Sequence, residues 1–252
     1  MENLNKIVHF LNQELKIHEY SDSSHNGLQV QNSGKVRSIC CGVDASMEFF
    51  RIAKKRGADL LICHHGISWD DSLKRITGLN YRRLSFLIKN DIALYACHLP
   101  LDAHRQLGNN ALICKALGIG REKAFGEYRG KKIGYYGTLS RRENYRSFRN
   151  RVERILGKEI QSLEFGRKTV KTVGVVSGGA SDFIEEANLL NLDVFITGEP
   201  TLLGRNLAED CGINVIFGGH YATEAFGVKA LGKAVSKKFS VESGFIDFEL
   251  SY

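Results

Sequence analysis

Four apolar, strand-like runs in this chain end in residue types that bind divalent metals. Leu60–Cys63 is followed by His64 and His65, and Ala93–Cys97 by His98 and then Asp102 and His104 in HLPLDAH. Val194–Gly198 leads to Glu199, and Val215–Gly219 leads to His220 and Glu224. Five of the eight histidines therefore fall just beyond strand ends, where open α/β sheets gather their ligands because several strand ends converge there. The i, i+4 spacing of His220 and Glu224 puts both on one face if a helix begins at His220. His64 and His65 are adjacent, so their rings diverge from a turn and can serve two ions rather than one. Asp102 supplies an oxygen able to bridge. Imidazole and carboxylate without thiolate suit Zn, Mn, Fe, Co or Ni and disfavour Ca or Mg. Two such ions roughly 3.5–4 Å apart lower the pKa of water and clamp a substrate oxygen. A His-His pair or an HxxxE pair taken alone is a common solvated feature; three clusters at strand ends in one chain point to a shared metal site.

The elements that must position these residues are legible in the apolar periodicity. Helical patterns cover Asn3–Lys16, Ser46–Arg56, Tyr81–Asn90 and Asn109–Leu117, and they alternate with strands at Val36–Val43, Asp59–Cys63 and Ile92–Cys97. After about residue 125 the texture changes to a Tyr- and Gly-rich strand, Lys132–Leu139, and a basic helix, Tyr145–Leu156. Strands at Thr172–Val176, Asp193–Thr197 and Asn214–Phe217 then alternate with helices at about 182–190, Leu202–Cys211 and about 223–237, and VESGFIDFELSY alternates like a closing strand. This succession predicts an α/β protein with mixed sheets flanked by helices. Two lobes are expected: 1–125 plus about 220–252, carrying most of the metal ligands, and a smaller one over about 126–219.

Composition narrows the classes. The chain has 252 residues with 43% hydrophobic and 25% charged, which excludes a disordered, collagen-like or coiled-coil protein. No apolar run approaches a membrane span of ~18 residues. The amphipathic start, MENLNKIVHFLNQELKI, reads as a helix rather than a signal peptide. Six cysteines without CxxC spacing read as buried apolar packing in a reducing, cytoplasmic setting. The net charge of +7 has an address: nine Lys/Arg and two Glu lie between Arg129 and Arg154, and the rest of the chain is neutral. That stretch reads as a solvated face, an oligomer contact, or, with Tyr135, Tyr136, Tyr145 and Phe148 interleaved, a groove for single-stranded nucleic acid.

Six segments together resemble a known family, the dinuclear-metal-centre hexameric proteins, Nif3-like and widely labelled GTP cyclohydrolase I type 2 homologues. They are Asn26–Val30 (NGLQV), Cys41–Ser46 (CGVDAS), Leu60–Gly66 (LLICHHG), Tyr95–His104 (YACHLPLDAH), Ile196–Glu199 (ITGE) and Gly218–Glu224 (GGHYATE). The resemblance runs over nearly the whole chain. It implies two divalent metals held by His64, His65, Asp102, His220 and Glu224, with the metal site at strand ends between two intertwined α/β lobes. It also implies a toroidal homohexamer whose metal sites face an internal cavity. Two departures stand out. Gly66 replaces the Pro that many members have after the His pair, which permits a looser loop. Ser24 and His25 stand where the family often has Asp before Asn-x-Gly-Leu.

The chemistry this implies is hydrolysis by an activated water, in the family's named reaction a ring opening of GTP with loss of formate. Glu199 or His98 would shuttle the proton. His98 and His104 equally suit orienting a ligand, and Glu199 suits a salt bridge. Ser177-Gly178-Gly179 can present backbone N–H groups to an anionic small molecule such as a nucleotide, or simply make a tight turn. The alternatives are a metal-containing nucleic-acid or protein-binding module, and a metal-handling protein without turnover.

Overall fold

A computed structural model of the chain describes residues 1–248; the end of the expected closing strand, 249–252, lies outside the described residues. The chain divides into two compact units. One holds Met1–Leu101 and the chain from Gly227 on, the other Asp102–Phe226.

The first unit is built on a five-stranded sheet in the order Glu242–Phe245, Ser38–Asp44, Leu60–His65, Ala93–Ala96, Gly27–Val30. The first four strands are parallel, and Gly27–Val30 closes one edge antiparallel to Ala93–Ala96. Parallel neighbours need crossovers, which helices provide. The helix Met47–Lys55 is started by Ser46, whose hydroxyl accepts the Phe49 N–H at 3.1 Å, and it buries Phe49, Phe50 and Ala53. Those three join Cys40, Leu61, Cys63, Ile67, Leu87 and Leu94 in one apolar cluster. Strands covered on both faces read as continuous apolar runs, which is why LLICHH and ALYA lack alternation.

The second unit has a six-stranded sheet in the order Ile119–Tyr128, Lys131–Asn144, Thr169–Val175, Val194–Thr197, Asn214–Phe217, Gln161–Glu164. The three strands Thr169–Val175, Val194–Thr197 and Asn214–Phe217 are parallel; the outer pairings are antiparallel. The long hairpin turns at Arg129-Gly130, both with positive φ (50° and 78°), as a two-residue hairpin loop favours. The helix Tyr145–Leu156 starts at Asn144, whose side chain accepts the Arg146 N–H at 2.9 Å, and ends at Gly157 in the left-handed conformation. The helix His220–Phe239 begins in this unit and carries the chain into the other.

Two arginines of the basic segment Arg129–Arg154 are tied into this second unit, while Arg129, Lys132, Arg141, Arg142, Arg146 and Arg154 are exposed. Arg149 donates to the Ile160 carbonyl at 2.8 Å and the Ser162 hydroxyl at 3.2 Å, and Arg151 binds Glu143 and the Leu117 carbonyl. Tyr135, Tyr145 and Phe148 are buried in the unit's apolar core. These three are core residues, and Tyr136, half-buried, packs edge-on against Phe125 with ring centroids 5.7 Å apart. Among the described residues, no helix is long and apolar enough to cross a membrane.

Candidate metal centre

In the first unit the parallel strands Leu60–His65 and Ala93–Ala96 end side by side and bring three imidazoles together. One ring nitrogen of each of His64, His65 and His98 lies within 4.8 Å of the others. Each ring is fixed through Nδ1. His64 Nδ1 donates to the Cys97 carbonyl at 2.9 Å, His65 Nδ1 to Asp44 Oδ1 at 2.8 Å, and His98 Nδ1 to Asp22 Oδ1 at 3.0 Å. An N–H spent on a carbonyl or carboxylate leaves Nε2 as the nitrogen with the lone pair and points it in a set direction; this is the usual support of a metal-binding histidine. Burial works against the Asp22 carboxylate, but His98, Asn26 and the Ser24 N–H outweigh it and hold its pKa at about 2. Asp22 also accepts the Leu99 N–H and the Asn26 amide, whose own oxygen takes the His98 N–H at 2.7 Å.

Gly66 does not loosen the loop after the His pair. Gln29 Oε1 accepts the N–H groups of both Ile67 and Ser68, at 2.8 and 3.1 Å. A Cβ at Gly66 would collide with the Gln29 amide and come within 2.5 Å of the Ala96 Cβ. The small residue lets a glutamine reach the loop backbone.

In the second unit three strand-end loops are stitched by backbone hydrogen bonds: Gly198 N–H to Gly178 O at 2.7 Å, Gly218 N–H to Thr197 O at 2.7 Å, and Gly219 N–H to Gly198 O at 2.9 Å. The helix starting at His220 puts His220 and Glu224 on one face, with Nε2 3.1 Å from Glu224 Oε1. Nδ1 is 2.8 Å from Glu199 Oε1, so this fourth imidazole is supported in the same way as the other three. Burial disfavours the imidazolium, but Glu224 first and then Glu199 outweigh it and raise the His220 pKa to about 9. The pocket thus stabilises positive charge, and a divalent cation would displace that proton. Gly178, with φ of 68°, lies against Glu224 and His220 where a Cβ would strike the carboxylate. Asp102, 5% exposed, accepts at Oδ1 from Asn109 Nδ2 at 2.8 Å and Ser177 Oγ at 3.0 Å.

Two of the expected groups have partners close by. The N–H groups of Ser177, Gly178 and Ala180 already donate to Asn110 Oδ1, Thr223 Oγ1 and Thr197 Oγ1. The Ser177-Gly178-Gly179 loop is a turn that packs against the metal-type residues, and these three amides are not turned to a phosphate. His104 accepts the N–H groups of Gln106 and Leu107 at Nδ1 and shapes its own turn. The groups that sequence reasoning missed are the supports: Asp22, Asp44, Asn109 and Asn110. Asp22, four residues before Asn26, accepts its side-chain amide at 2.9 Å.

The donor set fits divalent metal. Every metal-type histidine has its Nδ1 anchored, the carboxylates of Asp102 and Glu224 are buried, and no thiolate is involved. The chain is 44% identical to a GTP cyclohydrolase 1 type 2 homolog of Pyrococcus horikoshii, covering 96% of each, and 42% identical to one of Archaeoglobus fulgidus, covering 97% of this chain and 98% of that one. A crystal structure of a Thermus thermophilus protein, TTHA1606, superposes with a TM-score of 0.90 at 33% identity, over 99% of this chain and all of that one. The family model described as Duf34/NIF3 (NGG1p interacting factor 3) matches residues 2–250, and the chain belongs to that family.

Proposed function

We propose that His64, His65, Asp102, His220 and Glu224 hold two divalent ions, and that the protein is a metal-dependent hydrolase of an anionic, nucleotide-like small molecule. The observation that carries this reading is the shared support of the three proposed ligand imidazoles, His64, His65 and His220, each with Nδ1 on a carbonyl or carboxylate. Zn, Mn, Fe, Co or Ni bound there supplies Lewis acidity and a water acidic enough to attack at neutral pH. Asp102, whose Oδ1 accepts from Asn109 and Ser177, would supply a carboxylate oxygen to the metals. Glu199 fixes the His220 ring and, being about half exposed (52%), is the group on this side able to pass a proton to solvent. His98, its ring held by Asp22 and its side chain about a fifth exposed (21%), is the second such group. The name carried by the curated relatives makes GTP the first substrate to try. The assembly is a homohexamer, and the setting the cytoplasm, in keeping with five cysteines used as buried packing.

The test is metal analysis of protein purified without chelator, paired with a hydrolase substrate screen of wild type against Glu224→Ala and Asp102→Ala. Two metals per chain with metal-dependent turnover, lost in both variants while the native mass of the assembly survives, is the expected result. Less than one equivalent of metal under every loading condition removes the dinuclear centre. Two metals with no turnover in the screen removes the hydrolase.

A further inference from the structure

We propose that Trp69 is a stacking platform beside the histidine cluster and that the ligand it takes is a planar ring carrying an anionic group. The proposal rests on the metal-centre reading above and deepens it by naming the residue that positions the substrate's ring. Trp69 is the chain's one tryptophan. Its ring centroid lies 5.0 Å from that of His98 and 5.8 Å from that of His65, inside the range of aromatic contact. It is half-buried. Ile67 anchors this loop in the apolar cluster of the unit, and Trp69 is not among that cluster's residues.

The polar atoms of Trp69 are spent within its own loop. The indole N–H donates to the Gly66 carbonyl at 2.9 Å, the backbone N–H to Ser72 Oγ at 2.8 Å, and the carbonyl accepts the Ser72 N–H at 2.7 Å. The loop is also tied across to the segment before Asn26: Asp70 N–H donates to Ser23 O at 2.8 Å, and Ser24 bridges to Trp69. An indole held this way has no donor left for a ligand. It offers its π face, pre-positioned at the edge of the metal-type imidazoles, and stacking on such a face tolerates any planar base. Ring identity would be read by other groups, so a guanine and an adenine should gain alike from Trp69.

The experiment is calorimetric binding of guanosine 5′-monophosphate, adenosine 5′-monophosphate and ribose 5-phosphate to full-length protein, metal-loaded and chelator-stripped, with metal content measured in each sample. The sugar phosphate keeps the anionic group and lacks the ring. Wild type should bind both nucleotides about tenfold or more tighter than ribose 5-phosphate. Trp69→Ala should lose that margin with ribose 5-phosphate unchanged, and Trp69→Phe should keep most of it. The intrinsic tryptophan fluorescence of wild type should change with either nucleotide and not with ribose 5-phosphate, which keeps the test open if Trp69→Ala fails to fold. The proposal is overturned if neither nucleotide binds, if wild type does not distinguish ring from no ring, or if Trp69→Ala weakens all three probes alike, which is what a mere cover for the histidines would do. Ring-selective binding by protein that takes up no metal would leave the platform standing and remove the metal-centre reading instead.

Discussion

In the five-stranded unit, His64, His65 and His98 are each tied at Nδ1 to a group from a different stretch of chain: Cys97, Asp44 and Asp22. In the six-stranded unit, His220 and Glu224 are placed by backbone lying against backbone, at Gly178, Gly198 and Gly218-Gly219, with Glu199 on Nδ1 of the ring and Glu224 itself on Nε2. The first cluster is an arrangement of side chains and the second an arrangement of loops. Side-chain tethers fail one at a time and leave the fold intact. Close-packed loops fail together, because a displaced backbone takes its hydrogen bonds with it.

Substitutions that add one methyl group measure this difference most strongly. A Cβ at Gly198 would lie 2.6 Å from the Gly178 carbonyl and 2.8 Å from His220 Cα, both backbone atoms. Gly198→Ala should cost about 3 kcal/mol in urea unfolding. In the other unit, Gly66→Ala meets the end of the Gln29 side chain and the Ala96 Cβ. The glutamine can move only by giving up its bonds to the Ile67 and Ser68 N–H groups, a smaller loss than shifting two backbones, so the cost there should be about 1–2 kcal/mol. Equal costs would mean that the two clusters are built alike.

Asn110 lies between these two kinds of construction. Fully buried, it donates to the carbonyls of Ile133 and Asp102 and accepts the Ser177 N–H, so one amide holds three pieces of backbone. Asn110→Ala leaves those groups without their partner in a site closed to solvent and should lower stability by about 2 kcal/mol. Asp22→Ala tests the tethered cluster. It should lower metal-dependent turnover by about 10- to 100-fold, with metal content unchanged, by releasing the His98 ring. Glu199→Gln keeps an oxygen that can accept from His220 Nδ1 and should cost less. A larger loss in Glu199→Gln than in Asp22→Ala would assign Glu199 a role beyond holding the ring.

The sequence made the inner parts of both sheets legible and hid the rims. Leu202–Cys211, Asn214–Phe217 and Tyr145–Leu156 lie where periodicity places them, because their buried faces are apolar. Ile119–Tyr128 and Gln161–Glu164 gave no strand signal, and both are edge strands of the six-stranded sheet. An edge strand carries charge against unwanted pairing, and in Ile119–Tyr128 a register shift between Gly120 and Lys123 breaks the alternation further. The site divides the same way. Histidines at strand ends announce their chemistry by type and place, whereas Asp22 and Asn110 look like ordinary loop and helix residues until folding brings them to His98 and Ser177. His220 at the first turn of its helix was readable from the i, i+4 spacing; the three glycine loops that set its position were readable only as turns.

The smallest expected effect concerns acid. Asp193, buried in the six-stranded unit, accepts the N–H groups of Lys171 and Thr172 at 2.8 and 3.0 Å, the Thr172 hydroxyl at 3.1 Å and Arg167 at 2.9 Å. Burial raises its pKa, but these donors outweigh it and hold the carboxyl below its ordinary 3.8. A carboxyl depressed by folding contributes stability that is fully present above the unfolded value and is lost as pH falls through the folded one. Thermal melts of wild type between pH 6 and 2 should therefore steepen their decline below about pH 4. Asp193→Asn keeps one acceptor oxygen for the backbone and removes the titration, so it should start from a lower melting temperature at pH 6 and lose less of it on acidification. Parallel pH curves for the two proteins would show that Asp193 titrates the same way folded and unfolded, and would shift the acid sensitivity to the carboxylates of the histidine clusters.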